Sequence, residues 1–198
     1  MTTLFQESFL PIWNAGGILM YPLAGMALLI FFTGVEVILY LGDFRGKTLS
    51  DQAVEDWVDH PENARPELSG MIRYGKGALP EQRDVIRRFE EVRNEHLARV
   101  QRRRTMLAIF VAASPLLGLL GTVMGMLSTF QGLAISGGGQ SVNLVADGIS
   151  EALITTQLGL VIAIPGYVML SIIEKREHAL DSIITRIEAC VARKARAA

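Results

Sequence analysis

The sequence predicts an all-α membrane protein: three transmembrane helices with long cytoplasmic helical extensions. Three observations predict it. Half of the 198 residues are hydrophobic and the mean hydropathy is +0.33, high for a soluble chain. Three apolar runs are each long enough to cross a bilayer core of about 30 Å, which takes about 20 residues of helix. All 19 Lys and Arg fall in two blocks, Arg45 to Arg104 and Lys175 to Arg196, and none in residues 1–44 or 105–174. The net charge of −1 says nothing about partners, but its distribution sets an orientation.

Residues 1–15 hold no basic residue and are expected on the outer, periplasmic side. No basic region precedes the first apolar run and no small-residue cleavage site is evident, so no cleaved signal peptide is expected. Residues 16–41, GGILMYPLAGMALLIFFTGVEVILYL, form the first transmembrane helix, with Glu36 as their one acid. Trp13, Tyr21 and Tyr40 sit near its ends, where an aromatic belt would lie. Residues 42–105 form a loop that holds the first basic block, which the positive-inside rule places in the cytoplasm. Residues 106–134 are the second span, without a charge. Residues 135–142, with Gly137, Gly138 and Gly139, form a short outer loop. Residues 143–173 are the third span, interrupted by Asp147 and Glu151. The basic tail 174–198 returns to the cytoplasm.

The loop is helical in part. Ser50 is placed to cap a short helix with Ala53, Val54, Trp57 and Val58 on one side. Pro61, Pro66, Gly75, Gly77 and Pro80 punctuate the chain beyond that helix. From Glu81, Val85, Phe89 and Val92 repeat at helical spacing. Asp84/Arg88, Arg87/Glu91 and Glu95/Arg99 are oppositely charged i,i+4 pairs. No breaker separates this helix from the second span, so one long helix is expected. Its charges read as a solvated face, with a docking surface as the alternative.

Several chemistries are excluded. Gly42-Asp-Phe-Arg-Gly-Lys-Thr48 has three residues between its glycines, where a phosphate-binding loop needs four, and it follows a membrane span rather than a strand. His60, His96 and His178 have no metal-ligand spacing. Cys190 is the one cysteine, so no internal disulfide exists. No nucleophile–base pair is visible. Basic residues interleave with acids, so no nucleic-acid surface is expected. The expectation is a protein that is not an enzyme and uses no cofactor or metal. Any work it does must draw on a gradient or a partner.

The polar residues inside the spans carry the functional signal. Ser114, Gly118, Gly121, Gly125, Ser128 and Gly132 step by three and four along one face of the second span. Such faces let helix backbones approach closely in lipid, so Gly118, Gly121 and Gly125 are read as helix-packing residues. Thr122 and Thr129 share a neighbouring face; their hydroxyls either bond back to their own helix or serve a polar passage. In the third span Asp147, Glu151 and Thr155 recur every four residues after Asn143. Beside them Ala152, Thr156, Gly159 and Ala163 form a small-residue face. A charge at membrane depth costs about 2.5–3.5 kcal/mol, so such groups face a bundle interior or a wet cavity. Asp147 reads as an interface carboxylate. Glu151, about 6 Å deeper, is the stronger functional candidate. Glu36 either snorkels to the interface or pairs with a basic residue at the membrane edge.

At these residues the sequence resembles the MotA/TolQ/ExbB proton channel family, most closely its ExbB/TolQ branch. The matching stretches are GGILMYPL with Glu36, SPLLGLLGTVMGMLSTF, and VADGISEALITTQLGLVIAIPGYV; with the order of the spans they cover about two thirds of the chain. The resemblance implies a homopentameric ring in the bacterial inner membrane, with the N-terminus periplasmic and the C-terminus cytoplasmic. It implies two copies of a single-span ExbD/TolR-like protein in the central pore, whose aspartate carries the proton. It implies force passed to a TonB- or TolA-like protein for outer-membrane transport or maintenance. By motif position Thr122 and Thr156 match the family's pore-facing threonines and Glu151 its third-span glutamate. The stripe arithmetic favours Thr155 beside Glu151, and the family match favours Thr156. The chain departs from the flagellar stator branch, which usually has four spans and a larger cytoplasmic domain. A structural scaffold that stabilises its partners without passing protons is the competing reading. The task served, TonB-type, Tol-type or another, belongs to partners outside this chain.

Overall fold

The computed structural model describes residues 13, 16–42, 51–64, 66–77, 82–135 and 141–197, with residues 51, 67, 82–83, 135, 141–144 and 197 described by backbone alone. Most of the segment 1–15, the near-miss phosphate loop beyond Gly42, the Ser50 cap, Pro80, Glu81 and the three outer-loop glycines lie outside the described residues, as does the Asn143 side chain. The helices are α1 (Met20–Gly42), α2 (Asp51–Asp59), α3 (Pro66–Lys76), α4 (Gln82–Ile135) and α5 (Ser141–Ala197), with a 3₁₀ turn at Pro61–Asn63. No strand occurs among the described residues. Of these helices, α1, α4 and α5 are long and apolar enough to cross a membrane.

The chain divides into two units, Met1–Val35 with Thr105–Leu170, and Glu36–Arg104 with Ser171–Ala198. In the first unit α4 and α5 run antiparallel with their backbones in contact. A Cβ built on Gly125 would lie 2.8 Å from the Gly148 carbonyl oxygen; one on Gly118 would lie 2.9 Å from that of Thr155 and 3.0 Å from Thr156 Cα. A Cβ on Gly159 would lie 2.7 Å from the Ser114 oxygen. Each is closer than a side chain can approach, so glycine is what admits the neighbour. The third helix joins at Gly166, where a Cβ would meet Val111 Cγ2 at 2.6 Å and Ile30 Cγ2 at 3.5 Å. Leu23, Ile30, Leu107 and Val111 are fully buried there.

Pro115 lies inside α4. It has no N–H to give the Val111 carbonyl, and the Ser114 hydroxyl donates to that carbonyl at 3.0 Å instead. The faces turned away from these contacts are apolar: Leu28, Phe32, Leu116, Leu119, Leu153 and Ile164 are each 57–73% exposed. This exposure suits lipid or further copies of the chain as neighbours.

The second unit is held differently. Val54 and Val58 of α2, Leu68 and Ile72 of α3, Phe89 of α4 and Leu180, Ile184 and Ile187 of α5 are buried. A Cβ on Gly75 would overlap the Phe89 ring. Ion pairs ring this core. Arg93 reaches Asp181 at 3.2 Å and Glu188 at 3.4 Å. Arg193 pairs with Glu55 and Lys194 with Asp59, tying α2 to the end of α5. Of the i,i+4 pairs read from sequence, Arg87–Glu91 stands at 3.5 Å. Arg88 instead donates to the Tyr74 carbonyl at 2.9 Å and lies 5.1 Å from the centre of its ring. The Tyr74 hydroxyl donates to Glu91 at 2.7 Å, which raises the phenol above its ordinary value. The hydrogen bond from Lys194, with its charge, holds the Asp59 carboxyl below its ordinary value of 3.8.

Gly118→Val should destabilise the helix pair by about 1–3 kcal/mol through overpacking, read as a fall in thermal midpoint in detergent; an unchanged midpoint would mean the backbones do not touch. Because Asp59 is depressed, its contribution is present above the ordinary aspartate range and lost as pH falls through the folded-state value. Lys194→Ala should return the Asp59 titration, followed by NMR, upward toward its ordinary value.

Candidate functional site

The first unit gathers the polar residues of α4 and α5 along the helix seam. Thr155 is 1% exposed and packs against Gly121. Its hydroxyl donates to its own helix, at 3.0 Å to the Ala152 carbonyl. Thr129 is 4% exposed, packs against Gly148, and donates to the Gly125 carbonyl at 2.9 Å. Ser128 donates to the same carbonyl at 2.8 Å. Thr122 is half-buried and donates to the Leu119 carbonyl at 2.7 Å. Thr156 differs: half-buried, it reaches across the seam to the Gly118 carbonyl at 3.0 Å, with the Ala152 carbonyl of its own helix at 3.2 Å. Gly118, Gly121 and Gly125 all lie in the contact.

Asp147, Glu151 and Thr155 are unequally buried along their stripe. Asp147 is exposed, Glu151 half-buried and Thr155 enclosed. Each step of four residues advances about 40° beyond a full turn, so two steps carry Thr155 about 80° around from Asp147. Thr155 therefore points at α4, and Thr156, one residue on, stands at the edge of the seam. The Glu151 carboxylate lies against the backbone of Gly17, where a Cβ would overlap its Oε1.

The second unit holds Glu36, which is ion-paired with Arg103. The Arg176 guanidinium donates to the Ile38 carbonyl of the same helix end at 2.7 Å, and the Tyr40 hydroxyl is 3.3 Å from His96 Nδ1. This unit also contains a carboxylate that reading the sequence missed. The Glu177 side chain is 8% exposed and faces Arg104 Nε at 3.3 Å, while Arg104 also donates to Glu174 at 3.3 Å. Glu177 borders an open cavity of about 300 Å³ whose lining includes Arg93, Leu97, His178 and Asp181. Its charged neighbours suggest a solvated face, yet Ile173, Glu177, Leu180 and Ile184 step by four, three and four, and the other three are buried. That spacing was the available signal. No group of His, Cys, Asp and Glu able to hold a metal occurs among the described residues.

Removing the counter-ion of a buried carboxylate is costly, less so where one partner is a third exposed as Arg104 is. Arg104→Met should cost about 1–3 kcal/mol, and Arg104→Met with Glu177→Leu should recover most of it. Thermal unfolding of the two variants checks this; equal losses would mean the pair is not coupled.

The profile of the MotA/TolQ/ExbB proton channel family matches residues 68–186. A protein of Synechocystis sp. named as biopolymer transport protein ExbB-like 1 is 36% identical over 162 residues, 75% of this chain and 64% of its own length, just under two thirds. A second from the same organism, ExbB-like 3, is 30% identical over 76% of this chain and 77% of itself. The Tol-Pal system protein TolQ of Haemophilus influenzae is 35% identical over 98 residues, 49% of this chain and 42% of itself. No solved structure matches.

Proposed function

We propose that this chain, which belongs to the MotA/TolQ/ExbB proton channel family, is the ring-forming subunit of an inner-membrane motor driven by the proton gradient. Five copies surround two copies of an ExbD/TolR-like single-span protein. The motor energises a TonB- or TolA-like protein for outer-membrane transport or maintenance. In this reading residues 1–15 and 135–142 are periplasmic, 16–41, 106–134 and 143–173 span the membrane, and 42–105 and 174–198 are cytoplasmic. Lipid covers the outer face of the ring.

The observation that carries the reading is the pairing of hydroxyls and a carboxylate with an otherwise apolar, glycine-packed helix pair. Thr156 is half-buried at the seam edge with its hydroxyl on the Gly118 carbonyl. Thr122 lies one turn beyond Gly118 on α4. Glu151 lies on α5 about 1.4 turns before Thr156. Helix pairs that only needed to associate in lipid would be served by the small residues alone. Thr122, Thr156 and Glu151 therefore serve the proton path, with Thr155 and Thr129 supporting it from inside the seam. Glu36 and Asp147 serve as interface carboxylates at the two ends of the spans. The scaffold reading keeps the ring and removes the proton path.

Extracted together with a single-span, aspartate-bearing protein encoded beside it, the chain should appear in native mass spectrometry as a pentamer holding two partner copies. A monomer or dimer would remove the ring. Thr122→Ala, Thr156→Val and Glu151→Ala should keep that assembly and abolish proton flux into liposomes carrying the complex. Normal flux in all three would favour the scaffold.

A further inference from the structure

We propose that Gly17 is a positioning residue for Glu151: the turn that leads into α1 lays bare backbone against the carboxylate and fixes where it sits. The inference rests on the proton-path reading of Glu151. The backbone conformation demands glycine here, and the space above it is taken by Glu151. Gly17 has φ +65°, while no other residue type among those described has a positive φ. L-residues with a Cβ adopt that region at a cost. The group that a side chain here would displace is the Glu151 carboxylate. A Cβ at Gly17 would overlap Glu151 Oε1, stand 2.7 Å from Cδ and 3.4 Å from Cγ. The turn is closed by the Met20 N–H donating to the Gly17 carbonyl at 3.3 Å. Its other glycine, Gly16, is buried, and a Cβ there would first meet the Met20 side chain of α1, with Sδ at 2.5 Å, and Ile154 Cγ2 only at 3.3 Å. Gly17 is thus the glycine of the turn that sits over the α5 carboxylate. By contrast a Cβ on Gly25, also on α1, would meet nothing within 4 Å.

The consequence is mechanical. A glutamate has several rotatable bonds and at a half-buried site would otherwise sample several rotamers. Backbone on one side of the carboxylate removes some of them without adding a side chain that would compete for its proton. The position of the α5 carboxylate thus depends on the first turn of another span.

Disulfide formation and proton flux test this. A cysteine at 151 places its sulfur near the present Cγ, 3.4 Å from a Cβ at 17, which is within disulfide reach. In a Cys190→Ser background, Gly17→Cys with Glu151→Cys should lose maleimide labelling on mild oxidation and regain it on reduction. Failure to form the bond overturns the contact. In liposomes holding the ring and its single-span partner, Gly17→Ala should lower proton flux at least about tenfold, and Gly25→Ala should leave it unchanged. Gly17→Ala with Glu151→Asp, one methylene shorter, should recover flux at least about threefold over Gly17→Ala. If Gly17→Ala fails to accumulate in the membrane, recovery of its level by Glu151→Asp supports the contact. Full flux in Gly17→Ala, or no recovery of flux or level in the double variant, overturns the positioning role. Full flux in Glu151→Gln would instead remove Glu151 from the proton path, with the disulfide still reporting the contact.

Discussion

Backbone touching backbone, where any side chain would intrude, is the contact on which the apolar unit depends. In lipid no hydrophobic force draws one apolar helix to another, so packing and interhelical hydrogen bonds must do so. Dispersion falls steeply with separation, and glycine is the residue that brings two helix axes closest. Gly118, Gly121 and Gly125 on α4 interleave with Gly148 and Gly159 on α5. That approach also lets a threonine hydroxyl of one helix reach a carbonyl of the other, as Thr156 does with Gly118. Removing the glycines would end both the packing and the hydrogen bond. The small-residue seam is therefore upstream of the Thr156 bond that crosses it.

The same two helices associate by other means in the second unit. Residues 82–104 and 171–197 contain no glycine, whereas 105–135 and 141–170 contain seven. Where glycine stops, large apolar side chains and opposed charges take over: Phe89, Leu180 and Ile184 in the core, Arg93 and Arg104 against Asp181, Glu174 and Glu177 around it. Large side chains that interdigitate fill the space between the helices themselves, so close backbone approach is no longer needed. Ion pairs then fix which faces meet. Most are partly exposed and contribute modestly; Arg104–Glu177 is the exception, because its carboxylate is buried.

The all-helical architecture and its three long apolar helices were legible because length and charge are one-dimensional signals. A gap in Lys and Arg is visible without knowing any contact. The seam on α4 was legible for a related reason: steps alternating between three and four stay on one face. The steps of four on α5 drift in one direction, so that Asp147 is exposed where Thr155 is enclosed. Glu177 was hidden by its own neighbours, since Glu174, Lys175 and Arg176 suggest solvent while the spacing to Ile173 and Leu180 indicates the core. Arg88 illustrates a further limit. Its i,i+4 partner Asp84 was available, but Tyr74, 14 residues earlier, offered both a carbonyl and a ring face. Local spacing cannot register a competitor from another helix. Gly17 belongs to the same class: its sequence neighbours give its flexibility, and only the third span gives its purpose.

The direction of the hydroxyl bonds bears on how a proton path through this chain would work. Thr122, Thr129, Thr155 and Thr156 each donate to a backbone carbonyl. A hydroxyl has one proton and two lone pairs, so each threonine as found can accept but has already given. A relay of hydroxyls requires every member to give and take in turn. Four donors committed to carbonyls do not form one. Such side chains act instead as fixed acceptors that favour a group arriving with a proton. Within the seam residues Glu151 is the titratable side chain, and it lies on α5 an entire turn from the nearest of these threonines. On the proposed reading, an acid brought by another chain would, when protonated, find acceptors in the half-buried Thr122 and Thr156, since Thr129 and Thr155 are enclosed in the seam.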